Sequence, residues 1–285
     1  MHNQWGAGQG GAHYADFCWQ AVATTEVFAS FRRSPFCTKM VEGISDRHGR
    51  AYLELITDPL IRDICFSSEY ADTVGLPNVI DFEGRKLSSV TMRYGKVLQD
   101  LVDHFPDLHN LDSIVEIGVG FGGQARMISE YMRRKGGRLR TYCLVDLLPV
   151  LHLSRLYLEH FSLAFEMKYL TKSEMPKAGS YDLTISNYAF SEFFQPLQKE
   201  YLDLAMLRSR GGYLTMNTGL PGTQSFPRPG DATWHSVDEL IAMLPNSVVL
   251  EEKPKTGQNN YLLIFGQHKV LQPSTVEAIT ANLPR

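Results

Sequence analysis

Apolar positions in the first third of the chain recur every three to four residues. Tyr94, Val97, Leu98, Leu101, Val102 and Phe105 fall at i, i+3, i+4, i+7, i+8 and i+11, which puts them on one face of a helix that Pro106 ends. Further upstream the pattern predicts a helix from Asp16 to Phe31, stopped where FRRSPF reaches Pro35. Residues 39–66 read as another helical stretch with one short extended segment, AYLELI (51–56). Gly75, Pro77, Asn78 and Gly84 make 67–89 loop-like. Residues 1–13, glycine-rich and polar, are expected to be loose, with Trp5 able to dock once a ligand is bound.

From residue 111 the rhythm changes to strand–helix alternation. SIVEI (113–117), RTYCLVD (140–146), FEMKYL (165–170), YDLTIS (181–186) and GGYLTMN (211–217) read as strands. Helices are expected from Gly122 or Gly123 to about Arg134, from about Pro149 to His160, and around 195–208. Ser236 and Glu239 fit a capping box that starts a helix reaching about Leu244. SVVLEEK (247–253) and NYLLIFG (260–266) then read as a closing antiparallel hairpin. Five alternations followed by a hairpin predict a doubly wound α/β sheet. The expected organisation is an N-terminal helical cap over 1–110, the α/β domain over 111–268 and a tail over 269–285. The cap is the expected place for acceptor binding or for a homo-oligomer interface.

Composition narrows the function without naming it. The 285 residues are 44% hydrophobic and 21% charged, with a net charge of -3, so no basic face argues for nucleic acid or an acidic membrane. Cys18, Cys37, Cys65 and Cys143 lie far apart without a CxxC pair, which reads as free thiols in a reducing compartment. The N-terminus lacks the basic and apolar regions of a secretory signal, and no apolar run approaches the ~20 residues of a membrane helix. A cytoplasmic protein is expected.

The stretch IVEIGVGFGGQ (114–124) carries the chemistry. In open α/β sheets a ligand sits beyond the carboxyl ends of the strands, where strand order reverses. Gly118 and Gly120 let the chain turn sharply and a ligand touch the backbone. The helix after Gly122 and Gly123 offers free N–H groups. Gly118-x-Gly120-x-x-Gly123 alone also fits a nicotinamide or flavin dinucleotide, and Asp146, at the end of the second strand, suits the ribose hydroxyls of either ligand. Glu116 favours S-adenosylmethionine, whose ammonium and sulfonium welcome an acid where a pyrophosphate is repelled. The ~110 residues ahead of the loop point the same way, because dinucleotide-binding dehydrogenases usually begin with it.

TMRYGKVLQDL (91–101), IVEIGVGFGGQ, DLTISNYAFSEF (182–193) and NNYLLIFG (259–266) together resemble bacterial sugar O-methyltransferases of the family that includes the nanchangmycin-type deoxysugar enzyme. The match runs in order from about residue 20 to 267. The resemblance implies a Rossmann-like class I methyltransferase fold, with a seven-stranded, mostly parallel sheet and a C-terminal hairpin. It implies S-adenosylmethionine as methyl donor, S-adenosylhomocysteine (SAH) as product, and a hydroxyl of a sugar or glycosylated natural product as the small-molecule acceptor.

Donor contacts are expected from Glu116, Gly118, Gly120, Gly122, Gln124, Asp146 and Asn187. The resemblance adds Tyr94, whose helix would close over the donor with Arg93 nearby, although Tyr94 also fits simple core packing. Methyl transfer to an alcohol needs a proton acceptor. His235 is the first choice, since its ordinary pKa lies near working pH. Glu192 is the second, as base or as acceptor of a sugar hydroxyl. Tyr188, Ser191 and Asp231 are the expected acceptor contacts, the last on a long Pro/Gly-rich loop (218–235) that reads as a lid. Each has a plainer reading: Asn187 as a strand cap, Glu192 as an acid favoured early in a helix, His235 as the residue before a capping serine. No metal-ligand spacing is present. An amine or phenol acceptor, a non-catalytic donor-binding scaffold and a nicotinamide oxidoreductase are the alternatives.

Overall fold

The computed structural model describes residues 9–176, 179–220 and 233–269. The chain opens with α1 (Gln9–Ala23), α2 (Thr25–Ala29), α3 (Pro35–Cys37), α4 (Asp46–Leu55) and α5 (Pro59–Phe66). A small hairpin follows, β1 (Ile80–Phe82) with β2 (Arg85–Leu87), and then α6 (Ser89–His104). The alternating region comprises β3 (Ser113–Ile117), α7 (Gly123–Lys135), β4 (Thr141–Val145), α8 (Leu148–Leu158), β5 (Glu166–Leu170) and β6 (Tyr181–Asn187). It continues through α9 (Gln195–Leu204), β7 (Ser209–Met216), α10 (Val237–Met243), β8 (Val248–Glu251) and β9 (Tyr261–Gly266).

The main sheet has seven strands in the order β5-β4-β3-β6-β7-β9-β8. The first five are parallel, and β9 inserts antiparallel between β7 and β8. This is the Rossmann-like arrangement that the resemblance implied, closing hairpin included. Strand order reverses at β3, which pairs with β4 on one side and β6 on the other.

Two apolar clusters cover the two faces of the sheet. One joins Ile114, Tyr142, Leu183, Ile185, Tyr213 and Ile264 to α6, α7, α8 and the N-terminal helices. The other joins Val115, Ile117, Val145, Leu214 and Leu263 to α9 and α10. Helices α4 and α5 pack on α6, and α1 packs on α8. All four cysteines are free and buried.

Several expectations for the first 90 residues need correction. The segment AYLELI is not extended. It completes α4, because the Ser45 hydroxyl caps the helix by accepting from the His48 N–H at 3.2 Å and because Gly49, Tyr52 and Leu53 share its buried face. The single helix expected over Asp16–Phe31 begins earlier, at Gln9, and breaks at Thr24, which adopts extended backbone before α2. The loop-like region 67–89 contains the β1–β2 hairpin, turned through Glu83 and Gly84 at positive φ. Further on, the capping box at Ser236 is present as expected, with the Glu239 carboxylate accepting from the Ser236 N–H at 2.7 Å.

Among the described residues no helix is long and apolar enough to cross a membrane.

Candidate functional site

The glycine turn leaves β3 at the point of strand reversal. Gly118, Gly120 and Gly122 all have positive φ. A Cβ on Gly118 would lie 1.9 Å from the Cβ of Ala189, so the turn and the end of β6 meet as closely as backbone and a methyl allow. Asp146, at the tip of β4, is bonded into the same turn: its Oδ2 accepts from the Val119 N–H at 2.8 Å and its Oδ1 from the Leu147 N–H at 2.7 Å. Burial pushes the Asp146 carboxyl up to about 6, against the pull of those two N–H groups. Helix α1 lies over this acid. Burial raises the Tyr14 hydroxyl and the Cys18 thiol, and the Asp146 charge raises both further.

Glu116 is 2% exposed and accepts a hydrogen bond from the Tyr142 hydroxyl at 2.8 Å. Burial pushes its carboxyl up to about 8, with the Tyr142 bond opposing. Burial thus favours the neutral acid at Glu116 more than at Asp146, and a cationic ligand beside Glu116 would favour the charged form again. Gln124 is buried in the first turn of α7; its Nε2 donates to the Tyr94 carbonyl at 3.3 Å, and its Oε1 has no hydrogen-bond partner among the described residues.

Helix α6 closes the turn from one layer. The Tyr94 ring sits where a Cβ on Gly123 would come within 2.2 Å of it, and Val41 takes the same position over Gly120 at 3.2 Å. Tyr94 is thus part of the core and packs directly on the turn. Arg93, its neighbour, turns toward the end of β6. There Asn187 and Tyr188 share a cavity with Arg93, Tyr52, Tyr213 and Glu252. The cavity measures about 20 Å³, room for a water molecule rather than a sugar ring. The Asn187 Oδ1 accepts from the Thr215 hydroxyl at 3.2 Å. Tyr188 has φ 67° and donates its hydroxyl to Glu252.

The remaining candidates lie toward α9 and α10. Ser191 is buried, its hydroxyl 2.6 Å from the Tyr188 carbonyl and 2.7 Å from the Asn217 Oδ1. Its contacts tie the β6 and β7 ends together. Glu192 is exposed and accepts from the Asn217 Nδ2 at 3.3 Å. His235 is buried between the two helices. Its Nδ1 lies 3.1 Å from the Gln195 Nε2 and 3.6 Å from Glu239, while its Nε2 has no hydrogen-bond partner among the described residues. Asp231 and most of the expected lid lie outside the described residues.

The structure thus gathers Glu116, the glycines, Gln124, Asp146 and Tyr94 around one turn, with Asn187 and Tyr188 beside it. Glu192 and His235 are bound to different partners and do not form a dyad. Sequence reasoning missed Tyr142, Tyr52 and Glu252. Tyr142 had a local signal: it is the same-face neighbour of Glu116 one strand over and two residues back, the place from which a buried acid on β3 must draw its donor. Glu252 had none, since only the hairpin's insertion brings it to Tyr188. Among the described residues no group of three or more His, Cys, Asp or Glu side chains could hold a metal ion.

No family model matches the chain, and no curated protein matches it. Among solved structures it is similar to a protein of Thermoplasma acidophilum, with 13% identity and a TM-score of 0.44 over 75% of this chain and 100% of that one. It is similar to the N-terminal domain of EvdMO1 with SAH bound, with 15% identity and a TM-score of 0.46 over 73% and 97% of the two chains. It is also similar to PigF with SAH, with 12% identity and a TM-score of 0.39 over 82% and 78%.

Proposed function

We propose that this chain is an S-adenosylmethionine-dependent O-methyltransferase acting on a hydroxyl of a sugar or glycosylated natural product. The observation that carries the reading is the bond between Asp146 and the Val119 N–H at the strand reversal. It holds an acid for a ribose diol against a glycine turn, with Asp146 still partly exposed.

The residues at the turn fit such a donor. After accepting two backbone N–H groups, the Asp146 carboxylate keeps lone pairs for two ribose hydroxyls. The unpartnered Gln124 Oε1 gives a further buried acceptor. When bound, the donor supplies a methyl carbon activated by sulfonium. The protein must align an acceptor oxygen with that carbon and take up one proton. Asn187, at the β6 end, is a donor contact in this reading, and Tyr188 beside it is on the side from which an acceptor would approach. Glu192, exposed and steadied by Asn217, is the proton acceptor in this reading. His235 holds the segment before α10 through Gln195 and Gln198, and its free Nε2 keeps it as the alternative base. The sugar as acceptor class rests on the sequence resemblance.

Calorimetric titration with SAH, with NADH as control, tests the donor. Micromolar binding of SAH, about -8 kcal/mol, weakened at least tenfold in Asp146→Ala, is expected; preference for NADH would overturn the proposal. With an alcohol acceptor in hand, Glu192→Gln should lower kcat by roughly 10²–10⁴ and leave SAH binding unchanged. An amine acceptor that arrives unprotonated would be insensitive to it.

A further inference from the structure

Arg93 is placed unlike Arg32 and Lys96, two other cations of this layer, whereas the buried Arg126 also lacks a carboxylate partner among the described residues but donates to Ser68 and lies over Phe161. Arg32 pairs with Glu42 and Asp72, and Lys96 pairs with Asp100. Arg93 is partly buried and forms no ion pair with a carboxylate among the described residues. Its Nη2 donates to the Val41 carbonyl at 3.3 Å, and its guanidinium carbon lies 5.5 Å from the centre of the Tyr94 ring. The nearby carboxylates are engaged elsewhere. Glu42 binds Arg32 and Ser88, Glu252 takes the Tyr188 hydroxyl and Thr256, and Glu116 takes the Tyr142 hydroxyl and favours its neutral form. A guanidinium carries five N–H donors in a fixed fork. Glu42 lies within electrostatic reach of Arg93 but is bonded to Arg32, so the guanidinium keeps donors that an anion could take.

Position identifies the anion. Val41 covers Gly120 and Tyr94 covers Gly123, so the residues touching Arg93 are those lying on the glycine turn. Arg93 shares its cavity with Asn187 and Tyr188 at the end of β6, whereas Asp146 stands at the end of β4, on the opposite side of β3. A ligand whose ribose meets Asp146 and which crosses the turn brings its far end to Arg93. We propose that Arg93 is the clamp for the carboxylate of the donor's amino-acid arm, gripping it through two parallel N–H bonds. This rests on the S-adenosylmethionine reading above.

The test uses the full chain and two probes: SAH, which carries the carboxylate, and 5′-methylthioadenosine, which lacks the whole amino-acid arm. In Arg93→Met the SAH dissociation constant should rise by roughly ten- to a hundredfold, the range for a charge-assisted pair, while that of methylthioadenosine changes less than threefold. Arg93→Lys should fall between, because an ammonium keeps the charge and loses the fork. The wild-type protein gives a check free of any folding defect: it should bind the carboxamide of SAH at least tenfold more weakly than SAH.

Equal weakening of both probes in Arg93→Met would make Arg93 a packing residue and overturn the proposal. Unchanged SAH binding in that variant would also overturn it and pass the guanidinium to an acidic acceptor. Equal wild-type affinity for SAH and its carboxamide would do the same. Wild-type protein that binds neither probe would fail the donor reading itself, and the clamp with it.

Discussion

At the scale of single residues, the two acids beside the glycine turn make opposite demands on the molecule. Glu116 is held by burial at a carboxyl pKa of about 8. Between its ordinary value of 4.5 and about 8, the folded protein keeps a proton that the unfolded chain releases. The stability Glu116 contributes is therefore complete below the lower value and is lost as pH rises through the upper one. Glu116→Gln keeps an acceptor for the Tyr142 hydroxyl and cannot ionise. Its stability relative to wild type should climb with pH across that window, by at most about 1.4 kcal/mol per unit. Urea unfolding of both proteins at pH 5 and pH 8.5 measures this, and a constant difference would mean that Glu116 ionises normally. Asp146, pushed up only to about 6, stays mostly charged at neutral pH, as a diol acceptor should. SAH affinity is accordingly expected to fall as pH drops below about 6, and Asp146→Asn should bind more weakly and lose that dependence. Both acids were legible by their spacing from the glycines. Their difference in charge was not, because it depends on how completely each is enclosed.

Elements show where sequence patterning decides and where it does not. AYLELI alternates well enough for a strand, and no residue within it chooses between strand and helix. The choice comes from Ser45, which caps α4, and from Gly49, whose hydrogen leaves room for Ser89 of α6 where a Cβ would lie 2.6 Å from its hydroxyl oxygen. The break at Thr24 was equally unreadable, since α1 and α2 each pack by long-range contacts. Arg32 links these N-terminal pieces. It pairs with Glu42 after α3 and with Asp72 ahead of the small hairpin, donates to the Ala71 carbonyl, reaches the Ser88 cap of α6, and lies 4.8 Å over the Phe121 ring in the glycine turn. Removing one partner of a buried charge network leaves the others unpaired. Arg32→Met should destabilise the protein by about 3–5 kcal/mol in urea unfolding, and Arg32→Lys by less, because the charge remains while the fork is lost. A loss under about 1 kcal/mol would show that the network is slack.

At the scale of the whole molecule, the last N-terminal helix packs on the α/β domain, as its apolar face leads one to expect. Strand–helix alternation begins at residue 111, and it is the visible reason for placing a boundary there. Packing ignores that boundary. Phe105 sits where a Cβ on Gly211 would meet it at 2.9 Å, and the Tyr213 hydroxyl donates to Asp100 at 2.8 Å. One cluster runs from Tyr14 through Leu101 to Ile114, Leu183, Ile185, Tyr213 and Ile264. Helix α6 is thus a layer of the α/β sheet encoded ahead of the sheet's first strand, and the outer helices rest on it. A fragment beginning at Asp107 would leave the β3, β6, β7 and β9 residues of that face partly in water, together with the unpaired Tyr213 hydroxyl. Each fully buried large apolar side chain so exposed forfeits roughly 1.5–3 kcal/mol, which a few residues multiply beyond the 5–15 kcal/mol that holds a typical domain together. The fragment is expected to bind a hydrophobic dye and to show no cooperative urea transition, whereas the full chain gives one. A fragment that unfolds cooperatively and still binds SAH would instead make residues 1–106 an appendage, and would move the closure over the glycine turn from architecture to accessory.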